Sequence, residues 1–115
     1  MEKLSEEQRQ ELYQGFESEI RLYISKLSND IYFIDPYDVI CAMDLLEDSY
    51  NLIGSYSVDL SIKLADLVIQ HCEEYSNFEI SKNKIDGNLF FIKQIRLNKD
   101  DFINDMNNLK KKLLS

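Results

Sequence analysis

The stretch from Ser57 to Tyr75 limits what this chain can fold into more than any other stretch. When it is set at about 100° per residue, its apolar side chains cover well over half of the helix circumference and leave a narrow polar stripe. A helix with this pattern needs neighbours on two or three flanks. The stretch is therefore predicted to be the central helix of a bundle, with Leu64, Val68 and Ile69 in its core.

Three further segments carry helix signals of their own. Ser5 to Gln8 have the form of a capping box, and Asp35-Pro36 suits the cap and first position of a second helix. Ser57 is expected to cap the central helix and Asn98 the last one. Links this short make neighbouring helices antiparallel. The predicted helices cover about residues 6–27, 36–53, 57–75 and 98–113.

Two glycines fall inside or beside these helices. Gly54 suits a left-handed end for the second helix. Gly15 lies in the middle of the first helix, where glycine costs about 1 kcal/mol relative to alanine. Close packing against a neighbouring helix is the explanation that the sequence suggests for Gly15.

The segment at about 78–97 has the weakest helical signal. Asp86-Gly87 is a turn signal flanked by apolar alternation, which favours a short β-hairpin or an irregular extended segment. A short helix beginning at Leu89 is the alternative. The expected fold is therefore mainly α, a single-domain antiparallel bundle of about four helices over residues 1–115, with a short β-hairpin or irregular segment at about 78–97.

Composition and chain length are those of a helix-rich globular protein. The 115 residues include only three glycines and one proline and can bury a core without a metal or disulfide. No apolar run approaches the roughly 18 residues of a membrane span, and the acidic start is unlike a signal peptide. We therefore expect a soluble, cytoplasmic protein in which Cys41 and Cys72 are buried free thiols.

No residue pattern here has a catalytic, cofactor or metal signature. His71 is the only histidine, and its place at the edge of the apolar arc indicates a packing role. A carboxylate-bridged di-metal bundle would need two Glu-x-x-His motifs, and the sequence contains no glycine-rich phosphate loop. The sequence therefore predicts a protein that is not an enzyme and uses no cofactor or metal, with a small enzyme as the minor alternative.

The net charge of −8 is concentrated in the first half of the chain. Residues 1–60 contain thirteen acidic residues and four basic ones, and no lysine or arginine occurs between Leu27 and Ile62. Phosphates would be repelled by such a surface, so the asymmetry argues against nucleic-acid binding. It favours a basic protein partner.

The outer face of the second helix is the candidate binding surface. Its acidic side chains surround an aromatic and an aliphatic residue, an arrangement typical of protein-binding surfaces; the alternative is an ordinary solvated face. Asp100 and Asp105 in the last helix are expected to lie outside it. The predicted partner-binding residues are Asp35, Tyr37, Asp38, Ile40, Asp44, Glu47, Asp48, Asn51, Tyr56 and Asp59.

The chain as a whole resembles small acidic helical immunity proteins of the colicin and contact-dependent growth inhibition systems. The most local part of the resemblance is Asn77-Phe78-Glu79-Ile80 followed by Asp86-Gly87-Asn88-Leu89 and a terminal helix, similar in outline to the end of immunity proteins of the colicin D type. The resemblance implies an inhibitor that neutralises a cognate bacterial toxin, a basic nuclease domain. A phage-encoded acidic inhibitor of a nucleic-acid-handling defence complex is the alternative.

Overall fold

The protein is mainly helical in the computed structural model, which describes residues 5–54, 57–77 and 89–115. A short 3₁₀ helix, Ile31–Phe33, precedes the second α-helix, and the described part of the chain contains no β-strand. Within those ranges, no helix combines the length and the apolar character that a membrane crossing would require. The α-helices are α1 (Glu6–Leu27), α2 (Pro36–Ile53), α3 (Val58–Ser76), α4 (Leu89–Leu97) and α5 (Lys99–Leu114).

The starts of α1 and α2 are capped as the sequence predicts. Ser5 Oγ accepts a hydrogen bond from the Gln8 backbone N–H at 3.1 Å, and Gln8 Oε1 accepts one from the Ser5 N–H at 2.9 Å. Asp35 Oδ1 accepts a hydrogen bond from the Tyr37 N–H at 2.9 Å, and Pro36 follows at the first helical position. Gly54 ends α2 with a φ of +76°, a backbone region that glycine enters without a steric penalty.

The starts of α3 and α5 differ from the prediction, because neither Ser57 nor Asn98 caps with its side chain. Ser57 Oγ instead donates to the Tyr13 hydroxyl at 3.1 Å, which ties the start of α3 to α1. Asn98 Nδ2 donates to the Gln94 carbonyl at 2.9 Å, so this side chain completes the end of α4. Both side chains are therefore engaged by other helices.

α3 is the central helix, as predicted, and packs against each of the other four helices. Leu64, Ala65, Val68 and Cys72 are fully buried. Ile69 was expected in the core, but it is only half-buried and packs at the edge. The most buried line along α3 therefore runs through Leu64, Val68 and Cys72 at four-residue steps.

Contacts of side chains show the relative directions of α1, α2 and α3. Arg9 donates to the Ile53 carbonyl at one end of α1 and α2, and Lys26 approaches Asp38 at the other, so these helices are antiparallel. α1 and α3 run parallel, because Tyr13 meets Ser57 and Leu27 meets His71 at the same sequence separation of 44. The ends of the bundle can therefore be named by α2: an upper end where α2 begins and a lower end where it finishes.

The hairpin or irregular segment expected at about 78–97 is wrong over Leu89–Leu97, where the chain forms the alternative, a short helix beginning at Leu89. Residues 78–88 lie outside the described part of the chain. Ile92 and Ile95, three positions apart, are fully buried, whereas Leu97 is 79% exposed. Burial at helical spacing, rather than at alternate residues, decides the conformation of α4. Arg96 Nε then donates to the Tyr75 carbonyl at 2.7 Å and joins α4 to the end of α3.

A candidate protein-binding surface

The lower half of α2 presents the acidic residues that the sequence singled out. Asp44, Asp48 and Asn51 are exposed, and Glu47 is half-buried. These positions recur at three- and four-residue steps and so lie on one face of the helix. Among the described residues, no lysine or arginine comes within 4.0 Å of the three carboxylates. We call this face, with Asp105 of α5, the acidic surface.

α5 contributes to the same surface, which the sequence did not indicate. Asp105 was expected to lie outside it, but the structure places this residue beside Glu47. A groove of about 200 Å³ runs between the two helices. Its described lining residues are Glu47, Tyr50, Asn51, Asp105, Asn108, Leu109 and Lys112.

The negative charges near Glu47 affect the pKa of its carboxyl group. Partial burial raises the pKa of its carboxyl, and the charges of Asp105, Asp44 and Asp48 raise that pKa further. Lys112 acts in the opposite direction. Like charges held this close repel one another, so the acidic surface carries unfavourable electrostatic energy that an approaching positive charge would relieve.

The remaining predicted acids are spread along the molecule. Asp35 caps α2 at the upper end, and Asp38 lies 4.0 Å from Lys26. Asp59 is exposed in the first turn of α3, at the lower end. Since α2 spans about 27 Å at 1.5 Å per residue, Asp35 and Asp59 lie toward opposite ends of the bundle, with Asp44 between them. Tyr56 lies outside the described residues.

Ile40 and Tyr37, the two apolar residues expected within the binding surface, differ in exposure. Ile40 is half-buried and packs against the hydrophobic core, so its side chain supports α2. Tyr37 is 47% exposed, and its ring lies 4.7 Å from the ring of Phe91, tilted by 46°. Tyr37 is therefore the exposed anchor, near the upper end of the same helix.

α4 supplies aromatic residues that the sequence-based choice omitted. Phe91 packs on Tyr37, and Phe90 meets Phe91 edge to face at 5.3 Å while remaining 62% exposed. The run Leu89-Phe90-Phe91-Ile92 was a visible signal, but its place beside α2 depends on how the helices pack, which the sequence does not show. We call Tyr37, Phe90 and Phe91 the aromatic patch.

The thiol of Cys41, one turn of α2 after Tyr37, is half-buried. Hydrogen bonding and charge interaction with Cys41 raise the pKa of the Tyr37 hydroxyl, with burial and then Asp44 adding to the effect. Tyr37, Cys41, Asp44 and Asp48 follow one another at three- and four-residue steps. The aromatic patch and the acidic surface are therefore continuous along α2, with residues of α4 and α5 beside them.

Neither His71 nor Cys72 opens onto this face. His71 is 1% exposed, and its Nε2 donates to the Leu27 carbonyl at 2.6 Å, because a carbonyl can only accept. Its Nδ1 lies 3.7 Å from Glu74 Oε2. Burial raises the pKa of the Cys72 thiol to about 12. His71 thus holds the end of α1 against α3.

The arrangement offers rigid charge and exposed aromatic area on helices. Such a face can bind a cationic protein surface, with aromatic side chains supplying contact area and carboxylates supplying selectivity. The sequence matches no protein-family model, and no curated protein or solved structure matches it.

Proposed function

We propose that this protein is a cytoplasmic immunity protein that binds and neutralises a cognate bacterial toxin with a basic nuclease domain. The observation that supports the proposal most is that Asp44, Glu47 and Asp48 share one face of α2, with no described lysine or arginine within 4.0 Å of their carboxylates. A basic partner would replace the repulsion between these carboxylates with attraction. The free energy gained on binding therefore includes the relief of repulsion within the inhibitor.

The rest of the charge distribution supports the same proposal. Three acids elsewhere have a described cation beside them: Asp66 pairs with Lys110, Glu17 with Arg21, and Asp38 approaches Lys26. The acidic surface is opposed by Lys112 alone among the described cations that affect Glu47. An uncompensated field of one sign steers an oppositely charged partner and speeds its association.

The surface is also formed in advance on helices. α2 is capped at its start and packs against α1, α3 and α4, so its backbone is already ordered when a partner arrives. Preorganisation of this kind increases affinity because it lowers the entropy lost on binding.

Charge reversal tests the proposal directly. The triple variant Asp44→Lys, Glu47→Lys, Asp48→Lys should lose protection against the toxin, and its association rate should lose most of its salt dependence. The toxin is first identified by affinity copurification from the native organism. Association rates are then measured from low to high salt, over which the Debye length falls from about 30 Å to about 3 Å.

The matched control reverses three exposed acids on α1 and α3, Glu11, Glu19 and Glu73, and so changes the net charge equally. This control should keep protection, and circular dichroism should show both triple variants folded. Equal binding by both variants would show that the acidic surface has no role in recognition. Copurification of a nucleic-acid-handling complex instead of a toxin would replace the proposed partner.

A further inference from the structure

Tyr23 of α1 and Tyr50 of α2 share a local arrangement of ring, lysine and carboxylate. Lys26 Nζ lies 5.1 Å from the centre of the Tyr23 ring and 4.0 Å from Asp38 Oδ1. Lys112 Nζ lies 5.8 Å from the centre of the Tyr50 ring, and its charge lowers the pKa of Glu47. In both places a cation from a neighbouring helix or from an adjacent turn lies over an aromatic face and beside an acid.

Tyr37 has the ring and the carboxylate of this arrangement without a cation from the described residues. Asp44 lies two turns further along the same face of α2 and contributes to the raised pKa of the Tyr37 hydroxyl. The half-buried ring of Phe91 lies beside the Tyr37 ring at 4.7 Å. No described lysine or arginine lies over either ring, and the Tyr37 side chain remains 47% exposed.

We propose that Tyr37, Phe91 and Asp44 form a binding site for an arginine side chain of the protein partner. The inference rests on the proposed function, since it names the group that a basic partner would place at the upper end of the acidic surface. The guanidinium would stack on the tilted ring pair and turn its N–H groups toward the Asp44 carboxylate.

Arginine fits this site better than the two other candidates for an occupant. An apolar side chain would cover the rings but would also remove water from Asp44 without pairing it. A lysine ammonium is compact and strongly hydrated, whereas guanidinium is planar, stacks on aromatic faces and is more weakly hydrated. Charge and shape together therefore select a planar cation.

The test uses a peptide probe and needs no knowledge of the toxin. The peptide acetyl-Gly-Arg-Gly-amide is titrated into the protein while the aromatic ¹H–¹³C resonances of Tyr37 and Phe91 are followed by NMR. These resonances should shift saturably, and the peptide with citrulline in place of arginine, which is similar in shape but neutral, should leave them unchanged. The lysine peptide should bind more weakly than the arginine peptide.

Two variants identify the site. Asp44→Asn keeps the exposed side chain nearly unchanged in shape and should weaken binding of the arginine peptide several-fold. Tyr37→Leu keeps apolar bulk and should weaken it by about fivefold or more if the aromatic face is the contact. Asp100→Asn, an exposed acid in the first turn of α5, is the matched control and should bind like the unmodified protein.

Three results would each overturn the inference: no saturable shift at Tyr37 and Phe91, equal binding of the citrulline peptide, or unchanged binding by folded Asp44→Asn and Tyr37→Leu. None of them bears on whether reversal of the acidic surface abolishes protection. Failure of the arginine site and failure of the immunity function are therefore read from separate experiments.

Discussion

At the residue scale, the surroundings of Gly15 differ from what its sequence position suggests. The sequence offers close packing as the reason for a glycine within α1, yet the glycine is exposed, and a Cβ built there would meet no described atom within 4 Å. Sequence alone cannot distinguish these cases, because a glycine has no side chain whose burial pattern could be read. Gly15 loses more backbone entropy on folding than alanine would, and close packing at this position does not offset that loss.

Gly15→Ala should therefore stabilise the protein by about 1 kcal/mol. The free energy of unfolding is measured by urea denaturation monitored at the α-helical circular dichroism band. A loss of stability would show that a partner or another part of the chain packs closely against this turn of α1.

Glu47 permits a prediction with a definite sign. Its folded-state pKa is raised, so the folded state holds this proton at pH values where the unfolded state has released it. Stability from this group is present below the unfolded pKa and is lost as pH rises toward the folded pKa. Glu47→Gln should therefore stabilise the free protein at pH 7 relative to the unmodified protein.

The gain from Glu47→Gln should grow as pH rises through this window and then level off. Denaturation at a series of pH values between mildly acidic and neutral measures it, and Asp100→Asn is the control. A constant difference across the series would contradict the raised pKa. The same substitution should weaken binding to a basic toxin, since it removes one of the attracting charges.

At the element scale, α1, α2, α3 and α5 follow from local sequence, whereas α4 and two of the caps do not. Ser5 and Asp35 accept from backbone N–H groups two or three residues away, so their neighbours in sequence are sufficient to predict them. Ser57 is drawn to Tyr13, and Asn98 to the preceding helix. Their hydrogen bonds depend on which helix lies nearby, and sequence spacing does not contain that information.

The core of α3 allows a prediction about stability. Leu64 is fully buried at the centre of the helix that every other helix contacts. Leu64→Ala should lower the free energy of unfolding by about 2 to 5 kcal/mol, through lost apolar burial and the cavity left behind. Ile69→Ala is the comparison: because Ile69 is half-buried, it should cost clearly less. Equal costs would place the core elsewhere.

At the scale of the whole molecule, the bundle brings together charges and rings that are distant in sequence. Asp44, Glu47 and Asp48 could be predicted as one face because all three belong to α2 and follow its period. Asp105, Phe90 and Phe91 reach the same face from α5 and α4. Predicting them requires the packing of separate helices, which single-sequence periodicity does not provide.

Folding brings lysines from other parts of the chain close to the segment between Leu27 and Ile62, which has no basic residues of its own. Lys26 reaches Asp38, and Lys112 comes over Tyr50 and influences Glu47. Of the acids in the first half of the chain, Glu17 and Asp38 thus have a described cation beside them, whereas Asp44, Glu47 and Asp48 have none within 4.0 Å.

The parallel course of α1 and α3 constrains the order in which the chain can fold. The contacts of Ser57 with Tyr13 and of His71 with Leu27 each join residues 44 positions apart, so each must close a long loop. The antiparallel pair α1 and α2, joined by a short connection, can form first at a smaller entropic cost. The link from His71 to the end of α1 should then be absent from the rate-limiting step. Stopped-flow measurements on His71→Gln should show faster unfolding with nearly unchanged folding, whereas slower folding would mean that α3 docks before the transition state.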